Sequence, residues 1–179
     1  IALPGTERIE YKPTGSWSFP DKTVLVKSFA LEEEEGNPAS RQWVETRFFT
    51  RQDGEWFGYS YKWNAAGTDA DLVPAGGADD KFTVKTPAGP REQVWRYPSR
   101  TECLACHSRA ANFVLGLTTA QLNKPHDYGS CTDNQLHTLE HLRLLKGFGW
   151  DDKARDQLAA NADKNKLTGK DKDENLTGT

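Results

Sequence analysis

Hydrophobic and polar residues alternate with a period of two along much of the first half of the chain, and the pattern turns helical after residue 98. Residues 23–31 (TVLVKSFAL) follow the turn-forming Phe19-Pro20-Asp21-Lys22 and are rich in β-branched side chains, which predicts a strand. Residues 42–51 and 55–63 flank Gln52-Asp53-Gly54, where Asp-Gly supplies the positive φ of a tight hairpin. In the second of these strands Phe57, Tyr59, Tyr61 and Trp63 alternate with Gly58, Ser60 and Lys62, so the four rings share one face of the pleat. Exposed aromatic patches of that size are uncommon, and the stripe is expected to pack into a core. Residues 65–80, rich in Gly, Ala, Asp and Pro, predict a long loop. Residues 81–86 and 92–97 predict a further strand pair joined by Pro87-Ala88-Gly89-Pro90.

Three pairs with capping-box spacing punctuate the second half: Ser99 with Glu102, Thr118 with Gln121, and Thr132 with Gln135. They predict a first helix running to Leu115 and stopped by Gly116, a short second one, and a third from Asp133 to Lys146 stopped by Gly147. Leu136, Leu139, Leu142 and Leu145 form one stripe of that third helix, while His137 and His141 lie off it and read as surface residues. A weaker fourth helix is expected over 151–162, and the lysine- and acid-rich residues 163–179 read as a flexible end or linker.

The first of these helices carries Cys103-Leu104-Ala105-Cys106-His107, the C-x-x-C-H attachment signature of c-type haem. One helical turn brings two thiols to the two vinyl groups of one porphyrin, and the adjacent imidazole, His107, ligates the iron. Chance would produce the pattern in roughly one such chain per thousand. A redox dithiol would not need His107, and a zinc site would need two more ligands, for which Cys131 with a distant histidine is a weak candidate. Phe113, Leu117, Leu122, Leu136 and Leu139 are the expected apolar wrapping of the haem, with Val114, Leu115 and Leu142 near them. Arg100 and Arg109 flank the motif as candidate partners for the propionates, with ordinary surface arginines as the alternative. Methionine is absent from the sequence, so a nitrogen fills the sixth iron position or nothing does. In the loop 121–126, His126 is the simpler ligand chemically, and Lys124 would have to be neutral to bind. Cys131 has no partner left and reads as a free thiol or an intermolecular disulfide.

Composition narrows the context. The 179 residues are 36% hydrophobic and 27% charged, and contain no apolar run long enough to span a bilayer. A formal charge of −3 gives no basic footprint for nucleic acid. The acidic block at 32–35 reads as a solvated loop, and a start at Ile1 without signal peptide or methionine is expected of a segment processed from a longer precursor.

The run 98–107, with Phe113-Val114-Leu115-Gly116, Gln121-Leu122-Asn123-Lys124 and Asp133-Asn134-Gln135-Leu136, resembles a family of secreted bacterial mono-haem cytochrome c domains. These occur at the ends of PQQ-dependent sugar dehydrogenases and in redox proteins fused to carbohydrate-binding modules. Residues 17–29 and 45–71 are similar to that family's β-rich segment, so the likeness covers most of residues 15–146. Pattern and resemblance together predict an α+β chain: a β-rich segment of antiparallel hairpins over 1–98, packed on a small all-α cytochrome c-like haem domain over 99–150, and the pattern alone adds a weak helix and polar tail over 151–179. The resemblance also implies a monomer in the periplasm or outside the cell, carrying one covalent haem c, with a sugar dehydrogenase or copper polysaccharide monooxygenase as redox partner. A basic residue commonly follows Gln-Leu-Asn in that family, which puts Lys124 on a par with His126 as iron ligand. The expected function is single-electron transfer between proteins rather than catalysis. The alternatives are a five-coordinate haem enzyme or ligand sensor of peroxidase type, and a carbohydrate-binding β module that uses the aromatic stripe and carries the haem as a passenger.

Overall fold

The chain reverses at Asp53 and Gly54, whose φ angles of 52° and 83° suit a turn that matches the twist of the strands it joins. In the computed structural model, which describes residues 1–149, this hairpin is the centre of the larger sheet. The elements in chain order are β1 (Ile9–Glu10), β2 (Val24–Glu32), a 3-10 turn (Pro38–Ser40), β3 (Arg41–Gln52), β4 (Glu55–Trp63), β5 (Ala70–Leu72), β6 (Ala78–Thr86), β7 (Gly89–Tyr97), α1 (Arg100–Cys106), α2 (Thr119–Leu122), β8 (Pro125–Asp127), β9 (Thr132–Asn134), α3 (Gln135–His141) and β10 (Leu145–Lys146). They form two compact units, one of Ile1–Arg8 with Phe19–Leu115, the other of Ile9–Ser18 with the chain from Gly116 onward.

The first unit holds an antiparallel sheet in the order β2-β3-β4-β5, the hairpin β6-β7, and α1. Its core lies on one face of the sheet. Phe49 stacks on Trp56 at 4.8 Å, Phe19 meets Trp56 edge-on at 6.1 Å, and Phe29 meets Trp95 of β7 at 5.8 Å. Trp56, Gly58 and Ser60 are the buried residues of β4. The expected core stripe is therefore on the opposite face, with Phe57 42% exposed and Tyr59, Tyr61 and Trp63 half-buried. The small side chains at Gly58 and Ser60 decide this, because only that face admits covering elements at close range. The region 65–80 is also more ordered than a loop: β5 pairs with β4 from Trp63↔Ala70 to Tyr61↔Leu72, and β6 begins at Ala78.

The second unit is built round Ile9, Trp17, Leu122, Leu136 and Leu145, all buried. The ladder β1-β10 is parallel and β8-β9 is a short hairpin. Thr119 and the Trp17 indole both donate to the Lys12 carbonyl, at 2.8 and 3.0 Å.

No all-α cytochrome c-like domain exists among the described residues. The three helices span seven, four and seven residues, and strands dominate. The first expected helix ends at Cys106 rather than Leu115, because the backbone leaves helical angles at His107 (φ −80°, ψ 57°), and the positive φ angles of Asn112 and Phe113, 51° and 63°, keep the following residues from resuming a helix. Thr132 lies in β9 and the cap of α3 is Asn134, whose side chain accepts from the Leu136 amide. α3 ends at His141, Arg143 turns with φ 57°, and Leu145 pairs with Ile9 in a strand. The leucine stripe breaks accordingly, with Leu136 and Leu145 buried and Leu142 58% exposed. The expected fourth helix at 151–162 and the tail at 163–179 lie outside the described residues.

Candidate functional site

The C-x-x-C-H motif is placed by the start of its helix. Ser99 Oγ accepts from the Glu102 amide at 3.1 Å and Glu102 Oε2 accepts from the Ser99 amide at 2.6 Å, a complete capping box. Arg96 of β7 donates to the same carboxylate at 2.9 Å. These bonds, the Ser99 amide first, hold the Glu102 carboxyl down at about 2. The Arg100 amide donates to the Ala75 carbonyl at 3.1 Å, which fixes the first turn from a second side.

One turn further, Cys103 rests on β4. A Cβ built on Gly58 would lie 2.7 Å from both Cβ and Sγ of Cys103, so only glycine lets the helix sit there. Burial pushes the Cys103 thiol up, whereas Cys106 is exposed; both are free thiols. His107 closes the helix, its amide donating to the Cys103 carbonyl at 3.0 Å. The chain then folds back through 108–113, so that the Phe113 carbonyl meets His107 Nδ1 at 2.6 Å. A carbonyl only accepts, so Nδ1 carries the proton, and Nε2 is the ring nitrogen that can offer a lone pair to a metal. The Phe49 ring packs on the imidazole at 4.4 Å between centroids.

A buried charge lies nearby. Glu45 is fully buried, takes two hydrogen bonds from Arg47 at 2.7 and 2.9 Å, and takes a third from the Trp95 indole at 3.0 Å. Neither this cluster nor the contact at Gly58 was visible in the sequence pattern. The signals present were a glycine inside a strand of aromatics and an acid two residues before an arginine, which puts the two on one face of a strand.

The structure gathers Cys103, Cys106, His107, Phe113, Arg100 and Arg109 in the first unit. Arg109 is exposed, and the Arg100 guanidinium lies over the Tyr59 ring at 4.9 Å. Leu117, Leu122, Leu136, Leu139, Lys124 and His126 belong to the second unit, where Leu122 and Leu136 are core residues. Lys124 and His126 are exposed, and the His126 ring stands edge-on to Tyr128 at 4.7 Å. His137 pairs with Asp133 at 2.8 Å, which holds that carboxyl below its ordinary value. Among the described residues no three His, Cys, Asp or Glu side chains converge as they would round a bare metal ion. No described helix is long and apolar enough to cross a membrane.

No family model, curated protein or solved structure matches the chain.

Proposed function

We propose that the chain is a mono-haem c-type electron carrier, exchanging single electrons with redox proteins in an oxidising compartment. The observation that carries this reading is the 2.6 Å hydrogen bond between His107 Nδ1 and the Phe113 carbonyl. An iron- or zinc-binding histidine characteristically donates its other N–H to such a carbonyl, which fixes the tautomer and raises the basicity of the ligating nitrogen. Here that arrangement stands at the end of a helix whose two thiols are free and one turn apart. A dithiol redox centre would leave the oriented imidazole without a purpose.

The donor set fits a covalently attached haem: thioether links from Cys103 and Cys106, and His107 Nε2 for the iron. When bound, that group supplies a one-electron iron couple. The remaining work belongs to the chain. Ser99, Glu102 and Arg96 hold the helix start, Gly58 lets the helix rest on β4, and Phe49 keeps water from one flank of the imidazole. Cys106 is exposed, which supports exchange with a partner at the surface. Electron transfer linked to sugar oxidation or to a copper polysaccharide monooxygenase, in a bacterial periplasm or outside the cell, follows from the resemblance of the motif segments.

Expression of the full chain behind a secretion leader, in a host that attaches haem to C-x-x-C-H sequences, tests the proposal. One haem per chain should survive denaturation and acid extraction, and should be lost in a Cys103→Ala, Cys106→Ala double variant. A folded chain recovered from that host with both thiols free would overturn it.

A further inference from the structure

The face of the four-stranded sheet turned away from the core takes no part in the proposed electron transfer. It carries Trp43, Phe48, Phe57, Tyr59, Tyr61 and Trp63 on adjacent strands, in register Phe48↔Tyr59 and Thr46↔Tyr61. The Trp43 and Trp63 rings lie 6.4 Å apart and 32° from parallel, and Phe48 meets Tyr61 at 5.3 Å. Trp43 is 50% exposed and Phe57 42%, at opposite ends of the row, with Val26 and Leu72 similarly open beside them. A continuous row of rings, open at both ends, on a chain rich in charge marks a binding surface.

We propose that this face binds an extended, uncharged polysaccharide of β-linked pyranoses. Charge decides the ligand class. Between its ends the face presents only apolar, aromatic and hydroxyl side chains; charge enters at Glu55, at the mutually neutralising Glu32–Arg41 pair (2.9 Å), and through Arg100 over Tyr59. A single-stranded nucleic acid would also stack on aromatic side chains, but such platforms work with a basic groove, and here the face meets two cations, Arg41 held by Glu32 and Arg100 over Tyr59, on a chain of net charge −3. A pyranose with equatorial hydroxyls offers an apolar C–H face to an aromatic ring and hydroxyls to its rim, which matches amphipathic Tyr and Trp side chains. Alternate residues of a strand repeat every ~6.8 Å, so the rings form a row rather than a pocket, suited to a chain rather than a single sugar.

The test measures retention of the full chain on insoluble cellulose, chitin, mannan and xylan, and binding to soluble oligosaccharides of the same linkages, at low and high salt. Wild type should be retained on at least one neutral polysaccharide with little salt dependence. Trp43→Ala and Phe57→Ala should each weaken that binding about tenfold, the loss of one stacked ring, while thermal melting and any covalent haem stay as in wild type. The two exposed positions are chosen so that failure to fold does not mimic failure to bind, and the soluble oligosaccharides give a readout independent of the solid surface. Lack of retention on all four polymers would overturn the proposal. So would retention unchanged by both variants, binding abolished by salt or displaced by RNA, or a concentration-dependent dimer that Trp43→Ala dissolves while no glycan binds.

Discussion

Cys103 lies directly against Gly58, with room between helix and strand for a hydrogen but not for a methyl group. Both atoms that a Cβ would strike belong to a short side chain, so the helix itself has to move. Gly58→Ala is expected to cost about 1–3 kcal/mol of stability, the usual range for forcing a methyl into packed space. It should also lower the yield of covalent haem by displacing Cys103. Thermal melting beside a haem-stained denaturing gel checks both, and a variant that melts and stains like wild type would show that the contact does not seat the helix.

Glu45 depends on Arg47. The carboxylate is fully buried while the arginine side chain is 36% exposed. Arg47→Ala leaves a buried charge with the Trp95 indole as its remaining side-chain donor, and should destabilise the first unit by about 2–3 kcal/mol. That is below the range for a pair lost from the deep interior, because solvent reaches the arginine. Chemical denaturation is the measurement. An Arg47→Lys variant should recover only part of the loss, since an ammonium cannot reproduce the two-pronged contact.

Glu102 makes the stability of the helix start depend on acid. Its folded carboxyl sits at about 2, against an ordinary 4.5, through the Ser99 amide and Arg96. Protons bind it more weakly in the folded state, so its contribution is complete above about pH 4.5 and is lost as the pH falls toward 2. Glu102→Gln should therefore be less stable than wild type at neutral pH and lose less on acidification through that window. Denaturation midpoints of both proteins across pH 2–5 check the sign.

If the chain carries the proposed haem, its lack of methionine means that the oxidised form should lack the far-red band of a methionine-ligated haem and have a low-to-middle potential. Near-infrared MCD, low-temperature EPR and a redox titration of the haem-loaded chain are the measurements. A methionine-type far-red band would overturn this prediction, and a high-spin ferric centre would replace the electron carrier with an open-site haem protein.

Local signals were reliable where the interaction they describe is itself local. The turn at Asp53-Gly54, the box between Ser99 and Glu102, and the Thr118 side chain accepting from the Gln121 amide all join residues at most three apart. The ends of α1 and α3 were not legible in this way. One is set by a backbone reversal that ties His107 to Phe113, the other by Leu145 pairing with Ile9, far away in the sequence. Thr132 with Gln135 has capping-box spacing, yet the chain around Thr132 was drawn into a strand with Asp127.

The sequence by itself determined the central hairpin, the start of the motif-bearing helix, and the chemistry of two thiols and an imidazole spaced along one turn. All follow from steric and hydrogen-bonding preferences that act within a few residues. Only the tertiary structure decided which face of β4 is buried. Alternation separates Trp56, Gly58 and Ser60 from Phe57, Tyr59, Tyr61 and Trp63, and hydrophobicity alone favours burying the second set. Burial went to the first set because elements distant in the sequence, Cys103 on α1 and the ring of His107, pack on the sheet where Gly58 and Phe49 receive them. That choice left a row of aromatic rings facing outward.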